Sequence, residues 1–478
     1  MSSLWTSSSI SDANIGKVKG SWEAKGVSID SRFISQGDLF IALRGPKYDG
    51  HDFVLEALEK GAVAAIVNRN LCNKLDIVNK RLVIVEDTFT ALDKLATHRR
   101  KNSLGKFIAI TGSVGKTTTK DTLKLVLSKY GDTHATHGNQ NNLIGVPLTL
   151  SRMSDSNKFG IFELGMNKPG EIRVLSKLVS PDVIIITKIA GVHTEFFESI
   201  DQIASAKAEI FDGVVSGGIA IIPSDTKYFK MLVSLAQEKG IRKIISFGES
   251  SNANARLLSY SISRNRTDIK ACIDGENFNY SISMVGKHLA INSLAVLAGV
   301  KSIGGDIKEA SKEIINVKNT SGRGLRLSLS SENINFTLID ETYNASPISI
   351  NALIKSISEE NTYGRNILVL GDMLELGEDS AQLHKNLSSI ITSAKIDLVF
   401  TLGPLMRNLY ESLPKELRGL HSDNHHELTK VLVENIQNND FVAIKGSSGS
   451  KMVKIIENLR IFFRETVDLK DKTIGSSR

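Results

Sequence analysis

Phe107-Ile108-Ala109-Ile110-Thr111-Gly112-Ser113-Val114-Gly115-Lys116-Thr117-Thr118 is the stretch on which the reading of this chain turns. A short apolar run, Phe107–Ile110, reads as a buried strand. It passes through a glycine-bearing turn into a segment of helical spacing, Thr117–Lys129. Glycines let backbone amides approach a phosphate without Cβ interference, and the start of a helix adds its positive end. Lys116 is placed to meet β- and γ-phosphates, and the Thr117 hydroxyl to meet a magnesium ion. The longer form of the motif has a glycine where this chain has Ile110, so only the G-x-x-G-K-T core is present. The strand–turn–helix context makes residues Thr111, Gly112, Ser113, Val114, Gly115, Lys116, Thr117 and Thr118 a nucleotide-phosphate loop.

On the far side of that loop, strand and helix patterns alternate: Phe159–Leu164, then Pro169–Val179 with proline in its first turn, then Asp182–Thr187. Such alternation implies a mostly parallel sheet covered by helices. A largely polar stretch, Gly248 to Asn277, interrupts it before an alanine-rich helix, Ala290–Val300. A second run of buried strands follows, Thr337–Asp340, Asn366–Leu370, Leu398–Leu402 and Phe441–Lys445, which reads as a doubly wound sheet. Upstream, Leu39–Leu43 and Ala62–Val67 flank a helical Phe53–Lys60, and Ala91–Lys101 closes this small α/β unit. The last dozen residues are polar and expected to fray. The expectation is therefore α/β throughout, in three domains: 1–98, 99–318 with the phosphate loop, and 319–478 with the Rossmann-like sheet. A chain of 478 residues is long enough for about three domains.

Composition narrows the class. The 41% hydrophobic and 23% charged residues are globular values, and two cysteines exclude a disulfide scaffold or a cysteine zinc cluster. No apolar run is long enough for a bilayer, and the serine-rich start lacks the order of a signal peptide, so a cytoplasmic protein without membrane insertion is expected. The net charge of +7 is mild for this size and shows no basic stripe, which argues against nucleic acid. Nothing demands an oligomer, so a monomer is expected.

Other residues carry chemistry less specifically. Glu163 ends a strand beside the phosphate loop, where a magnesium ligand belongs, but the residues alone leave it open as a solvated strand-end acid. His193 follows the third strand and is equally open between a metal role and a structural one. Lys207 reads from its surroundings as an ordinary helix lysine. Asn139-Gln140-Asn141-Asn142 is a dense amide cluster that suits a turn as well as a ligand site.

Taken in order, these segments resemble the Mur ligase family, and within it the branch that adds a D-alanyl-D-alanine dipeptide. The resemblance runs from about Val27 to Met452. It is carried by Asp30-Ser31-Arg32, Gly37–Phe40, Asp49-Gly50-His51-Asp52-Phe53, the phosphate loop, Asn139–Pro147, Glu163–Ile172, His193, Ala206-Lys207, Gly286–His288 and Asn292. It continues through Gly322-Arg323-Gly324, Asp340–Pro347, Gly371–Gly377 and Lys445–Ser447. Ligases that add the third residue show a serine-histidine stretch after the glutamate, and their diaminopimelate-adding members an Asp-Asn-Pro-Arg motif. This chain has neither.

The resemblance implies an ATP-dependent peptide ligase with magnesium, two ions, acting on UDP-N-acetylmuramoyl-tripeptide and D-alanyl-D-alanine. It implies that Ser31, Arg32, Asp49, Gly50 and His51 hold the UDP end, and that Asn139, Asn142, Tyr343 and Asn344 contact substrate. Thr117, Glu163, His193 and a carbamylated Lys207 serve magnesium. Asn292 approaches adenine, Arg323 the phosphates, and Asp340 or its neighbour Glu341 the ribose. Three departures stand out: Asp340-Glu341 where two aspartates are usual, Ser346 where asparagine is usual, and Lys188-Ile189-Ala190 before the histidine. Other readings of the same loop are a sibling Mur ligase, a folate-extending ligase, or a nucleotide switch that forms no bond.

Overall fold

The computed structural model describes residues 3–70, 81–191, 197, 199–263, 266–360 and 364–465. By contact density the chain separates into two units. One holds Met1–Thr187, Ser205–Ser246 and Ala295–Ile307; the other holds Lys188–Ala204, Phe247–Leu294 and Lys308–Arg478.

The first unit begins with a small sheet of β1 (Lys17–Val18), β2 (Gly26–Ser28), β3 (Asp38–Ile41), β4 (Ala64–Asn68) and β5 (Leu82–Val85), in the order β1-β5-β4-β3-β2. All neighbours are parallel except β1, which runs against β5. Its strands are apolar on both faces, as a covered parallel sheet requires. Helix α1 (Thr88–Asn102) starts earlier than the apolar pattern alone predicts, because the Asp87 carboxylate accepts the Thr90 amide at 2.7 Å and caps it.

Next come β6 (Lys106–Thr111), α2 (Lys116–Leu127), β7 (Thr133–Ala135), α3 (Gly145–Ser151), β8 (Phe159–Glu163), α4 (Glu171–Val179), β9 (Val183–Ile186) and β10 (Ile219–Pro223). Strands β7, β8, β6, β9 and β10 lie side by side in that order, every pair parallel. The chain leaves β6 toward β8 on one side and reaches β9 on the other. The turn after β6 therefore sits at a topological switch point, where open α/β sheets bind ligands. The proline expected in the first turn of α4 lies just ahead of it. Gly170, at φ 92°, takes the cap position in the left-handed region, and the helix starts at Glu171.

In the second unit, the stretch read as a polar interruption contains a meander of β12 (Ala255–Ser263), β13 (Arg266–Ile273) and β14 (Glu276–Ile282), which follows β11 (Lys243–Gly248). Along β13, Thr267, Ile269, Ala271 and Ile273 are buried and the residues between them are less so. Half of each such strand is polar, so it shows no apolar run. Helix α5 spans Lys287–Ser302.

The last sheet orders β19 (Arg418–Ser422), β18 (Leu398–Leu402), β17 (Asn366–Gly371), β20 (Phe441–Lys445), β16 (Asn335–Glu341), β15 (Leu325–Ser330) and β21 (Arg464–Glu465). The five from β19 to β16 are mutually parallel; β15 is antiparallel to both its neighbours. Leu368 and Leu370 pack with Ile350, Ile354 and Leu387 on one face, while Ile367 and Val369 pack with Leu428, Leu432 and Ile455 on the other. Helices thus cover both faces, the doubly wound arrangement expected. Among the described residues no helix is long and apolar enough to cross a membrane.

Candidate active site

The loop after β6 is shaped by its glycines. Gly112 sits at φ 150°, and a Cβ there would fall 1.9 Å from the Thr187 hydroxyl oxygen. Gly115 sits at φ 91° as the residue before α2. Thr187, just past β9, donates its hydroxyl to the Val114 carbonyl at 2.8 Å and to the Thr111 carbonyl at 3.2 Å, tying loop to sheet. Thr111 itself turns inward and donates to the Leu164 carbonyl at 2.9 Å, so its side chain serves the sheet. Lys116 Nζ donates to the Gly112 carbonyl at 2.8 Å, folding over the loop it serves. Ser113, Val114 and Thr118 are partly exposed around it.

Glu163 is where the structure adds most. Its register opposite Ile110 brings the end of β8 beside the loop. The side chain is 2% exposed, and Oε2 accepts the Thr117 hydroxyl at 2.6 Å. Oε1 accepts the Asn141 amide at 2.8 Å. A solvated strand-end acid is therefore ruled out. Sequence reasoning noted Asn141 only as a member of the amide cluster, and it missed Thr136 and Lys120. The Thr136 hydroxyl accepts the Glu163 amide at 3.1 Å, and buried Lys120 donates to the Thr136 carbonyl at 2.8 Å. The predicted asparagines do otherwise. Asn142 Oδ1 accepts the Gly145 amide at 2.8 Å and so caps α3, and Asn139 is exposed.

Lys207 is 3% exposed, and burial, with Lys116 nearby, pushes its ammonium pKa well down. That burial sets it apart from an ordinary solvated helix lysine. His193 lies outside the described residues. Among the described residues no three of His, Cys, Asp and Glu converge. The Thr117 hydroxyl and Glu163 carboxylate are hard oxygen donors on one spot. That suits magnesium, which takes one or two protein oxygens and fills its remaining positions with phosphate and water.

The second unit carries the other candidates. Asp340 is 1% exposed and accepts four bonds: from the Ser321 hydroxyl at 3.0 Å, the Gly322 amide at 2.7 Å, and the Thr342 amide and hydroxyl at 3.1 and 2.7 Å. These pin the Gly322-Arg323-Gly324 loop, both of whose glycines have φ near 80°. The Arg323 guanidinium stacks 3.5 Å over the Tyr343 ring. Glu341 pairs with Lys445 at 3.0 Å across β16 and β20. Asn344 is exposed, and Asn292 is half-buried on α5. Ser346, the departure from asparagine, caps the helix Pro347–Glu359 by accepting the Ser349 amide.

In the first sheet, Arg32 forms a two-point pair with Asp30, at 2.9 and 2.6 Å, which holds that carboxyl below its usual range. Ser31 is buried, its hydroxyl 3.5 Å from Glu56. His51 has both ring nitrogens engaged: Nδ1 with Asp49 at 2.6 Å, and Nε2 accepting the Asn68 amide at 2.9 Å. A Cβ on Gly50 would fall 2.7 Å from the Leu43 carbonyl, which explains the glycine. Asp49, Gly50 and His51 thus lock a loop at the carboxyl ends of β3 and β4.

Three family models match in succession: the Mur ligase family catalytic domain over residues 23–100, the Mur ligase middle domain over 110–300, and the Mur ligase glutamate ligase domain over 325–448. The UDP-N-acetylmuramoyl-tripeptide–D-alanyl-D-alanine ligase of Rickettsia prowazekii is 34% identical over 95% of this chain and 99% of that protein. The chain belongs to the Mur ligase family.

Solved Mur ligases agree. A MurF from Acinetobacter baumannii superposes with a TM-score of 0.84 at 28% identity, covering 95% of this chain and 98% of that one. A MurF ligase from Thermotoga maritima, in complex with ADP, gives 0.77 at 26% identity, covering 92% and 97%. The three-domain Mur ligase fold read from the motifs is the fold of this chain.

Proposed function

We propose that this chain joins D-alanyl-D-alanine to the terminal carboxylate of UDP-N-acetylmuramoyl-tripeptide, with ATP converted to ADP and phosphate, as a step in making peptidoglycan precursors. The observation that carries the reading is the buried Thr117–Glu163 pair beside Lys116, within a chain aligned end to end with relatives of that name.

A free carboxylate resists amines because oxide is a poor leaving group. Transfer of the γ-phosphoryl of ATP gives an acyl phosphate, and the amine of the dipeptide then expels phosphate. The carboxylate and γ-phosphate repel one another, so positive charge must be fixed in advance. Lys116 would meet the triphosphate, and Arg323, propped on Tyr343, would offer a further cation to the phosphates. Thr117 and Glu163 would hold magnesium, with His193 and a carbamylated Lys207 for a second ion. Bound magnesium adds charge that offsets the developing negative charge on phosphoryl oxygens. Burial of Lys207 shifts its amine toward the form that carbamylation needs. Asn292 would approach the adenine, and Asp340 would serve the ribose end through the Arg323 loop it pins. Ser31, Arg32 and the loop locked by Asp49, Gly50 and His51 would receive the UDP end. The dipeptide amine has an ordinary pKa of about 8, so its neutral form is accessible near pH 7. The enzyme works as a cytoplasmic monomer.

Mass spectrometry of a reaction containing ATP, magnesium, the UDP-tripeptide and D-alanyl-D-alanine tests this. The pentapeptide product should form only with all four. ATP hydrolysis indifferent to the dipeptide would instead favour the nucleotide-switch reading. Lys207→Ala should lose activity that a small added carboxylic acid partly restores.

A further inference from the structure

We infer that Asn141 is a positioning residue for the metal site, acting through Glu163; this rests on the ligase reading above. The geometry is specific. Of the two Glu163 oxygens, Oε2 faces the Thr117 hydroxyl and Oε1 is held by Asn141 Nδ2 at 2.8 Å. The Asn141 main chain grips the same strand end, its carbonyl accepting the Gly165 amide at 2.7 Å. Gly165 is required for that approach, since a Cβ on it would fall 2.7 Å from Asn141 Oδ1. Side chain and backbone of one asparagine thus clasp β8 on either side of Leu164.

The consequence follows from carboxylate chemistry. When a cation arrives, Thr117 turns a lone pair toward it and its hydrogen bond to Oε2 is given up. The bond from Asn141 to Oε1 does not compete with the metal and persists. It stops the carboxylate from rotating and keeps Oε2 aimed at the loop. Partners of this kind, one shell out from a metal, are typically worth about 10–100-fold in metal affinity. The other asparagines have no such contact with Glu163: Asn142 is spent on the α3 cap and Asn139 is exposed.

The test titrates magnesium on the full chain in two ways: the rate of dipeptide-dependent ADP release at saturating ATP, and calorimetric binding of ADP. Asn141→Ala should raise the half-saturating magnesium concentration about ten-fold, with most of the rate recovered at saturating metal. It should weaken by a similar factor the gain in ADP affinity that magnesium brings. Asn141→Leu keeps a similar volume and the backbone bonds but removes the amide, and it should give a shift of the same size. In a Glu163→Ala background neither substitution should shift the metal dependence further. Unchanged magnesium dependence in both variants, or an equal shift without Glu163, overturns the proposal. If wild-type chain shows no dipeptide-dependent turnover, the ligase reading fails, while the ADP titration still decides the role of Asn141.

Discussion

Glu163 and Asp340 invite comparison because burial does not distinguish them. Each ends a parallel strand, beside a glycine-bearing loop, and they are 2% and 1% exposed. Their partners differ. Glu163 takes one bond to each carboxylate oxygen, from side chains on two separate elements, α2 and the loop before α3. Asp340 takes four, from two segments: Ser321 and Gly322 ahead of β15, and Thr342 just past β16. A carboxylate with a displaceable hydroxyl partner is ready to exchange it for a cation. One saturated by four donors is holding the two segments around it in shape. The number of donors, rather than burial, is what sets the two acids apart.

The sharpest way to break this contrast is Glu163→Gln. Loss of the metal-facing charge should lower ligase turnover on the order of a thousandfold, several kcal/mol of barrier. Thermal stability should hold, because the amide still fills the site. A variant that keeps near-normal turnover would remove Glu163 from the chemistry.

Asp340→Ala should do the opposite, acting on the fold first. It strands two amides and two hydroxyls around a buried hole, a loss of about 4 kcal/mol in chemical denaturation. ATP binding should weaken only as the Arg323 loop loosens. Unchanged stability with lost ATP affinity would mean that Asp340 touches nucleotide after all.

The difference between the two acids was partly legible in the sequence. The phosphate loop, the strand ending in Glu163 and the later parallel strands were readable because each carries an unbroken apolar run against a turn. The meander β12–β14 was not, since one-sided strands alternate and look polar. Strand β15, with Leu325, Leu327 and Leu329 on alternate positions, carried that same signal unread. Asn139–Asn142 stood out as a cluster, but which amide reaches Glu163 depends on the turn that sends Asn142 to cap α3. Thr136 and Thr187 left no trace: an isolated threonine near a strand end is common, and only the sheet register brings these two to the loop. No spacing rule would count the four donors around Asp340, because each is a small residue in an ordinary turn.

Acid should trouble the Glu163 side through its surroundings. His134, two residues before Thr136, donates its Nε2–H to the Thr149 carbonyl at 2.9 Å, and burial lowers its pKa to about 4. The unfolded chain, with an ordinary value near 6.5, binds the proton more readily. Stability is therefore full above about pH 6.5 and falls as pH drops toward 4, by up to about 3 kcal/mol. His134→Gln should flatten that limb in urea titrations run from pH 7 to 4. An unaltered slope would assign the acid sensitivity to other groups.

The smallest expected effect tests the other half of the comparison, what the Asp340 brace is for. If it exists to present Arg323, then the cation's shape as well as its charge should count. Arg323→Lys keeps the charge but loses the planar group stacked on Tyr343, and cation–π contacts at exposed sites are worth about 1 kcal/mol or less. Stability should fall by no more than that. The KM for ATP should rise several-fold, since a lysine lacks both the stacked support and the forked donors that match phosphate. Asp340→Ala and Arg323→Lys should then combine to less than the sum of their separate effects on KM, because both act on one loop. Full additivity would show that Asp340 and Arg323 serve the nucleotide independently, and the brace would lose its purpose.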